Sequence, residues 1–557
     1  MPWKVTGRMP FASGRHQSFR AVIDEPGCRR FTPSVVLWPG LRPQVGLSRH
    51  LTFTLLLHSM LTLGLDSGTQ STKCIVLDVH TGEILAHASE KYALIDGLPA
   101  GHLEQHPADW IRAVEATVDS CLRQVGERRK EIRAIGVSGQ QHGLVALDAA
   151  DQVVRAAKLW CDTSTSAECD ILASAFGGAT GLIAAAGNAI PPGFTAPKLL
   201  WMKRHEPDNF ARTTAVLLPH DYLNFFLTGV KRMEFGDASG TGLLDVRTRQ
   251  WHTELMSTID PRVAEMLPPV GSSLEKHGWL RSELAERWGL SEGVVVSAGG
   301  GDNMMGAIGT GNVQAGVVTA SLGTSGTLFA TADQPVVDSR GEVAAFCSST
   351  DQWLPLVCTM NVTVLTEQVR KMFGWDHGQL ETAVAGAPAG ADGLLFLPYL
   401  NGERTPNLPD GRGVLHGMRI DNMTPSHVAR AAMEGVTVGL GYGLRRFAGL
   451  GVTPEEIRLT GGGSQSAIWR QICADVFGVP VVCLQSAEGA ALGAAIQAAA
   501  AAESESGGAT LAELAARLAT LDESTRHFPN PSHTALYSSQ TDQFIKLTGD
   551  LHTHGWL

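Results

Sequence analysis

From Met60 onward, apolar and polar positions form short blocks whose period switches between two and about 3.6. Residues 61–66 and 73–79 are β-type runs on either side of a glycine-containing turn and predict a hairpin. Val79-His-Thr-Gly82-Glu reads as a turn, and Ile84–Ser89 as a third strand. Pro107, well tolerated in a helix's first turn, opens a helix through about Gln124. Ala134–Ser138 predicts a short buried strand. Leu144–Leu147 and Val153–Ala157 predict a second hairpin, turning at Ala149–Gln152. A strand meander, then a helix, then a buried strand is a ribonuclease-H-like pattern.

The second half repeats that order. Val317–Ser321, Thr327–Thr331 and the stretch Trp353–Leu356 read as strands, and Asn361–Phe373 as a helix. Pro425–Phe447 is a long helix, Ile457–Leu459 a strand, and Ala467–Phe477 and the alanine-rich Ala490–Glu503 are helices. Ser504–Gly508 is a loop, and a terminal helix covers Ser532–His552. The expected fold class is α/β, with two related domains, 60–305 and 306–557, and a seam just after Gly301-Asp302-Asn303. Substrates bind at such seams when two domains close on a ligand.

Each half carries one glycine-threonine loop, the two lying about 255 residues apart. The first reads Asp66-Ser-Gly68-Thr69-Gln-Ser-Thr72-Lys73, the second Ser321-Leu-Gly323-Thr324-Ser-Gly-Thr327. Aligned on Gly-Thr, Gly68 falls on Gly323, Thr69 on Thr324 and Thr72 on Thr327. Glycine lets the backbone come close, amides point inward and hydroxyls add donors, so both loops suit phosphate. Asp66 aligns with Ser321. A carboxylate beside phosphate needs a metal between them, so Asp66 reads as an Mg²⁺ organiser.

Three further motifs follow apolar strands. Asp302-Asn303, behind Gly299-Gly-Gly301 and the run Val294–Val296, sits where a strand's carboxyl end meets a cleft. Asp302 there suits a general base, taking the proton of a hydroxyl as it attacks phosphorus. It suits a helix N-cap as well. Ser138-Gly-Gln-Gln141-His142-Gly143 offers amide and imidazole groups to a polyol. Gly461-Gly462-Gly463-Ser464, between strand and helix, allows close backbone approach to a nucleotide. Asp162, after Trp160-Cys161, reads more plainly as a helix start than as a sugar ligand. His102, His106, His552 and His554 read as surface residues. No GxxxxGK[ST] loop and no dinucleotide fingerprint occurs, which excludes a P-loop kinase and a Rossmann dehydrogenase.

Composition narrows the partners. A net charge of −11 argues against generic nucleic-acid binding. Nine cysteines without a CxxC pair read as reduced thiols of a cytoplasmic protein, and the spacing of Cys161 and Cys169 fits no common zinc site. Residues 1–59 differ, with eight Lys/Arg against two acids. They read as a disordered extension or a start assigned too early, with Met60 as the true start; an organelle transit peptide is the alternative. The apolar run Leu51–Leu57 is too short to span a bilayer.

Taken in order, Asp66-x-Gly-Thr-x-x-x-Lys73, Ser138-Gly-Gln-x-His142-Gly, Gly300-Gly-Asp302-Asn303, Ser321-Leu-Gly-Thr-Ser-Gly326 and Leu459-Thr-Gly-Gly-Gly463 resemble the FGGY carbohydrate kinases. Tyr399-Leu-Asn-Gly-Glu403-Arg404-Thr-Pro406 resembles the family's second signature region, and Pro191-Pro-Gly-Phe-Thr-Ala-Pro-Lys-Leu-Leu-Trp201 is most similar to the xylulokinase branch. The resemblance covers residues 60–550. It implies two ribonuclease-H-like domains of the actin/hexokinase ATPase type flanking a central cleft, and phosphoryl transfer from ATP with Mg²⁺ to D-xylulose. It implies Asp302 as catalytic base and Asp66 as metal organiser. Gln141, His142, Asp302 and Asn303 would contact the ketose; Thr69, Lys73, Thr324, Gly461, Gly462 and Gly463 would hold the nucleotide. A homodimer is compatible with the family; a membrane or nucleic-acid partner is not expected. The chain departs from the pattern at Gln141 (methionine in many bacterial members), at Ser67 (usually apolar), and at Asp162-Thr-Ser-Thr165 (commonly Asp-x-Arg). Another pentulose or polyol kinase, or a sugar-independent actin-like ATPase, are the alternatives.

Overall fold

A computed structural model describes residues 60–504 and 507–557; the basic segment 1–59 and the expectations placed on it lie outside the described residues. Two seven-stranded mixed sheets organise the rest. In the first, Leu61–Ser67, Ser71–Asp78 and Ile84–Lys91 form an antiparallel meander. Ile132–Gly139 then lies parallel to Leu61–Ser67, Val295–Ser297 parallel to Ile132–Gly139, and Lys276–Trp279 closes the edge. The second sheet has the same order: Val317–Leu322, Gly326–Ala330 and Trp353–Thr359 antiparallel, then Glu456–Thr460 and Val481–Leu484 parallel, then Leu521–His527. Ala344–Cys347, unforeseen in the sequence, adds the outer edge.

The central strands are apolar throughout because both faces are covered. Leu61, Leu63 and Leu65 are fully buried, as is the intervening Thr62. On one face, helix Pro107–Val125 packs Trp110, Val114, Val118 and Cys121, a three-to-four-residue stripe. On the other face lies the alanine-rich helix Gly489–Glu503 from the second half. Only glycine fits beneath it: a side chain at Gly64 would start 2.0 Å from the Ala491 carbonyl, and one at Gly136 2.0 Å from that of Ala494. The same helix meets helix Asp302–Gly309 with equal closeness, at Gly309 against Gly489 and Gly493 against Met305. Small residues thus set the two halves backbone to backbone, and helix Asp302–Gly309 runs across the seam expected after Asn303.

The second predicted hairpin forms around its predicted turn, but irregularly. The bridges Leu147–Val153 and Leu144–Lys158 join its arms, with backbone bonds from Val154 to Ala146 and from Asp148 to Gln152. Each arm also pairs elsewhere, Val145–Leu147 with Ala215–Leu217 and Ala157–Lys158 with Glu104–Gln105. Arg155 and Lys158 both turn to the buried Glu104. Residues 142–280 add a helical lobe whose core includes Phe194, Leu199, Val216 and Met256, and which also packs on Phe346 and Leu354 of the second sheet. No single helix among the described residues is long and apolar enough to cross a membrane; Ser166–Ala175 with Ala179–Ala186 passes by composition only as a pair bent by 76°.

Candidate active site

Parallel strands bring their carboxyl ends together, and the singled-out residues sit there. Asp66 lies opposite Ser138 in the register, and Ser138 opposite Gly300. Asp302 is the first residue of its helix. The cap position belongs to Gly301, which has no side-chain cap bond, and the Asp302 carboxylate takes one amide of the first turn instead. Its Oδ1 accepts from the Asn303 amide at 2.8 Å and from Asn303 Nδ2 at 3.1 Å. Asn303 Nδ2 also donates to Gln141 Oε1 at 2.8 Å. Gly301 must lack a side chain, because a Cβ would fall 2.6 Å from Gln141 Cγ. Burial, with Asp66 and Asp237 adding negative charge, pushes the Asp302 carboxyl up to about 7.

His142 takes a left-handed backbone, φ 65°, and its ring stacks on Phe194 with centroids 4.5 Å apart. Its carbonyl accepts from Lys198 Nζ at 2.9 Å and Thr195 Oγ1 at 3.1 Å. Burial, then the charges of Lys198 and Arg404, hold the imidazole well below its ordinary pKa, so it is neutral. Its buried Nδ1 packs against Gly240, where a side chain would begin 2.5 Å from it. Gln141 and His142 are thus brought together with Asp302 and Asn303.

The first glycine-threonine loop is partly engaged within the protein. Ser138 Oγ donates to Asp66 Oδ1 at 2.9 Å, and burial raises the Asp66 pKa despite that bond and nearby Lys73. Lys73 Nζ lies 2.8 Å from Glu488, at the start of the alanine-rich helix, so it bridges the two halves. Thr69 Oγ1 bonds Gln140 and receives Trp160 Nε1 at 2.9 Å. Strand pairing also revises the alignment of the loops. Asp66 pairs with Lys73, but Ser321 pairs with Thr327. The second turn is one residue shorter, so Thr327 stands where Lys73 does and Gly326 where Thr72 does. Thr324 is exposed at the second tip. Gly461, at φ 83°, would drive a Cβ to 2.8 Å from the Leu322 backbone; a Cβ on Gly462 would meet nothing within 4 Å.

Other residues separate from the site or join it unexpectedly. Asp162 accepts from Lys158 Nζ at 3.0 Å, the Leu103 amide at 2.9 Å and Ser164, and is fully buried. It is a structural anchor. His102 is not a plain surface residue, since Lys158 Nζ lies 3.2 Å from its Nδ1. The ammonium of Lys158 occupies the centre of the His102–Glu104–Asp162 group, leaving no role there for a metal. Sequence reasoning missed Gln497, which bonds Ser297 Oγ and the Gly299 amide at 2.8 Å each and the Gly299 carbonyl at 3.0 Å. It also missed Arg404, whose guanidinium lies 5.7 Å over Trp160 from the other half. Arg404 stands in a quoted motif, whereas an isolated Gln in an alanine-rich helix carries no signal.

The donor set suits a divalent ion and a nucleotide. Asp66 is a hard oxygen ligand whose Oδ2 has no protein partner among the described residues, which fits Mg²⁺. At Gly68 an added Cβ would meet only the Ser71 carbonyl, at 3.7 Å, so the loop's inner side is open.

The chain is similar to known proteins over most of its length. The family models for the N-terminal and C-terminal domains of the FGGY family of carbohydrate kinases match residues 61–309 and 318–502. A xylulose kinase from Haemophilus influenzae is 42% identical over 496 residues, covering 88% of this chain and 100% of that protein. The crystal structure of a xyloylose kinase from Brucella ovis superposes with a TM-score of 0.82 at 32% identity, covering 88% of this chain and 99% of that one. A gluconate kinase structure from Lactobacillus acidophilus also has a TM-score of 0.82, at 25% identity, covering 88% and 98%.

Proposed function

We propose that this chain, which belongs to the FGGY family of carbohydrate kinases, transfers a phosphoryl group from MgATP to D-xylulose to give D-xylulose 5-phosphate. That it is a sugar kinase follows from the family; the acceptor and the residue roles are our reading. The observation that carries it is Asp302, a carboxylate with a pKa of about 7 tied to Asn303 and, through Asn303, to Gln141. Near neutral pH such a group accepts a proton readily, and the side chains beside it offer both donors and acceptors to a polyol.

In this reading Asp302 takes the proton of the attacking sugar hydroxyl. Gln141, His142 and Asn303 orient the ketose. Asp66 organises Mg²⁺, while Thr69, Lys73, Thr324 and the Gly461–Gly463 loop hold the nucleotide. MgATP, when bound, supplies the phosphoryl group and the divalent charge that offsets its negative oxygens. Closure of the two halves excludes water.

A different sugar acid or ketose is the second reading. It is favoured by the engagement of Asp162 and Thr165 within the protein, which removes them from the sugar wall, and by the likeness to a gluconate kinase. Coupled ADP release with MgATP separates the two, run with D-xylulose beside ribulose, ribitol, glycerol and gluconate. Stimulation by D-xylulose above the others is expected. Stimulation by another acceptor alone moves the substrate, and none by any acceptor overturns the kinase reading of this site.

A further inference from the structure

Three buried charged side chains are given no contact with substrate in the reading above: Asp237, which adds to the negative charge around Asp302, His220 and Asp221. They form a chain that ends on the sugar wall. His220 Nε2 lies 3.0 Å from Asp221 Oδ1, and Asp221 accepts from the Leu218 amide at 3.1 Å. On its other side His220 Nδ1 lies 2.9 Å from Asp237 Oδ2. Burial would lower the His220 pKa, but the two carboxylates overcome it and raise it well above the usual value. The ring holds its proton between two carboxylates; burial raises the Asp237 carboxyl, and the bond and charge of His220 oppose that rise. Glu234 accepts the amides of Gly236 and Asp237, which fixes the turn that carries Asp237.

The free oxygen of this chain faces Gln141. Gln141 Nε2 approaches Asp237 Oδ1 at 3.5 Å and Met304 Sδ at 3.3 Å. An amide has one donor end and one acceptor end. An anion on one side accepts only the NH₂ end, so Oε1 must point to Asn303, where it receives Nδ2 at 2.8 Å. Without the charge, thioether sulfur is the remaining acceptor for Nε2, and a weak one. The fit is close: Asp237 Oδ1 lies 3.1 Å from where a Gly301 side chain would begin, one residue before Asp302.

We propose that Asp237, held by His220, is a positioning residue that fixes the direction of the Gln141 amide and so the hydrogen-bond polarity the acceptor sugar meets. The inference rests on Gln141 and Asn303 being the acceptor wall. Asp237→Asn keeps the shape and removes the charge that discriminates the two amide ends. It raises KM for the acceptor about tenfold, the size of one lost hydrogen bond, and leaves KM for ATP unchanged.

A double-mutant cycle with Gln141→Met tests the route of the effect. If Asp237 acts through Gln141, the double variant has the acceptor KM of the worse single variant. If the two effects multiply, the inference fails while the kinase reading stands. If wild type shows no acceptor-stimulated ADP release, both fall. Should Asp237→Asn not fold, Gln141→Glu probes from the other end. A carboxylate facing Asp237 is repelled, so its acceptor KM rises well beyond that of Gln141→Met; equal effects overturn the proposal.

Discussion

Asp302→Asn preserves the size of the side chain and its bond from the Asn303 amide while removing the charge, and two effects of opposite sign follow. Turnover falls because an amide cannot take the proton of the sugar hydroxyl. A positioned base contributes about 10²–10⁴-fold, or roughly 3–5 kcal/mol of barrier. Stability rises. Burial chiefly, with Asp66 and Asp237, lifts the folded carboxyl from 3.8 to about 7. The folded protein therefore keeps a proton that the unfolded chain releases, and wild type loses stability as pH rises from about 4 to about 7, with no further loss above that window. A shift of about three units corresponds to at most about 4 kcal/mol. Coupled ADP release at pH 8 reads the first effect. Thermal melts at pH 4 and pH 8 read the second, with the variant level with wild type at the lower pH and higher at the upper. Wild-type kcat/KM should fall below a pH of about 7 as the base protonates. Near-wild-type turnover in the variant refutes the base; a variant melting below wild type at pH 8 refutes the electrostatic argument.

Asp66→Asn should lower turnover and raise the Mg²⁺ concentration for half-maximal rate, measured by titrating Mg²⁺ at fixed ATP; an unchanged Mg²⁺ dependence removes Asp66 from the metal. Gly136→Ala would place a Cβ 2.0 Å from the Ala494 carbonyl and should cost about 1–3 kcal/mol or more by overpacking, read as a lower urea midpoint. Lys198→Met removes the ammonium that holds the His142 and Gly193 carbonyls and should raise the acceptor KM several-fold, with KM for ATP unchanged. Burial lowers the Lys198 pKa to about 7, so the unfolded chain holds the extra proton up to about pH 10. Wild type then gains stability between those values, and Lys198→Met should flatten that rise in melts across the window.

The strand meanders and long helices were legible because their signals are local. Burial on both faces makes Leu61–Leu65 apolar, and Pro107 marks its helix start. The turn of the second hairpin was legible too, but the other pairings of its arms were not, because they are set at long range. Glu104, some fifty residues away, binds Arg155 and Lys158. Asp302, Asn303, Gln141 and His142 could be found one by one, since each follows a buried strand and sits among glycines. What holds them could not. Asp237 and Gln497 reach the site from 65 residues before Asp302 and 195 after it, and neither belongs to a short motif. The glycines under the alanine-rich helix were visible as residues, but their purpose needed the partner backbone at 2.0 Å.

If both loops hold phosphate as proposed, one fold unit serves two tasks. Both copies end a parallel strand and turn on Gly-Thr, so both can offer amides to phosphate. The first has charge on both strands, Asp66 facing Lys73; the second has Ser321 facing Thr327. The extra residue in the first turn moves Thr72 inward, where its hydroxyl bonds Ser67. Lys73 then follows on the opposite side of the pleat, where it meets Glu488. A neutral second loop can approach phosphate on amides and hydroxyls without a metal. The first needs a cation between its acid and the same phosphate. On the proposed reading the acid belongs on the half that also carries Asp302, where negative charge from the proposed base and the phosphoryl group would accumulate.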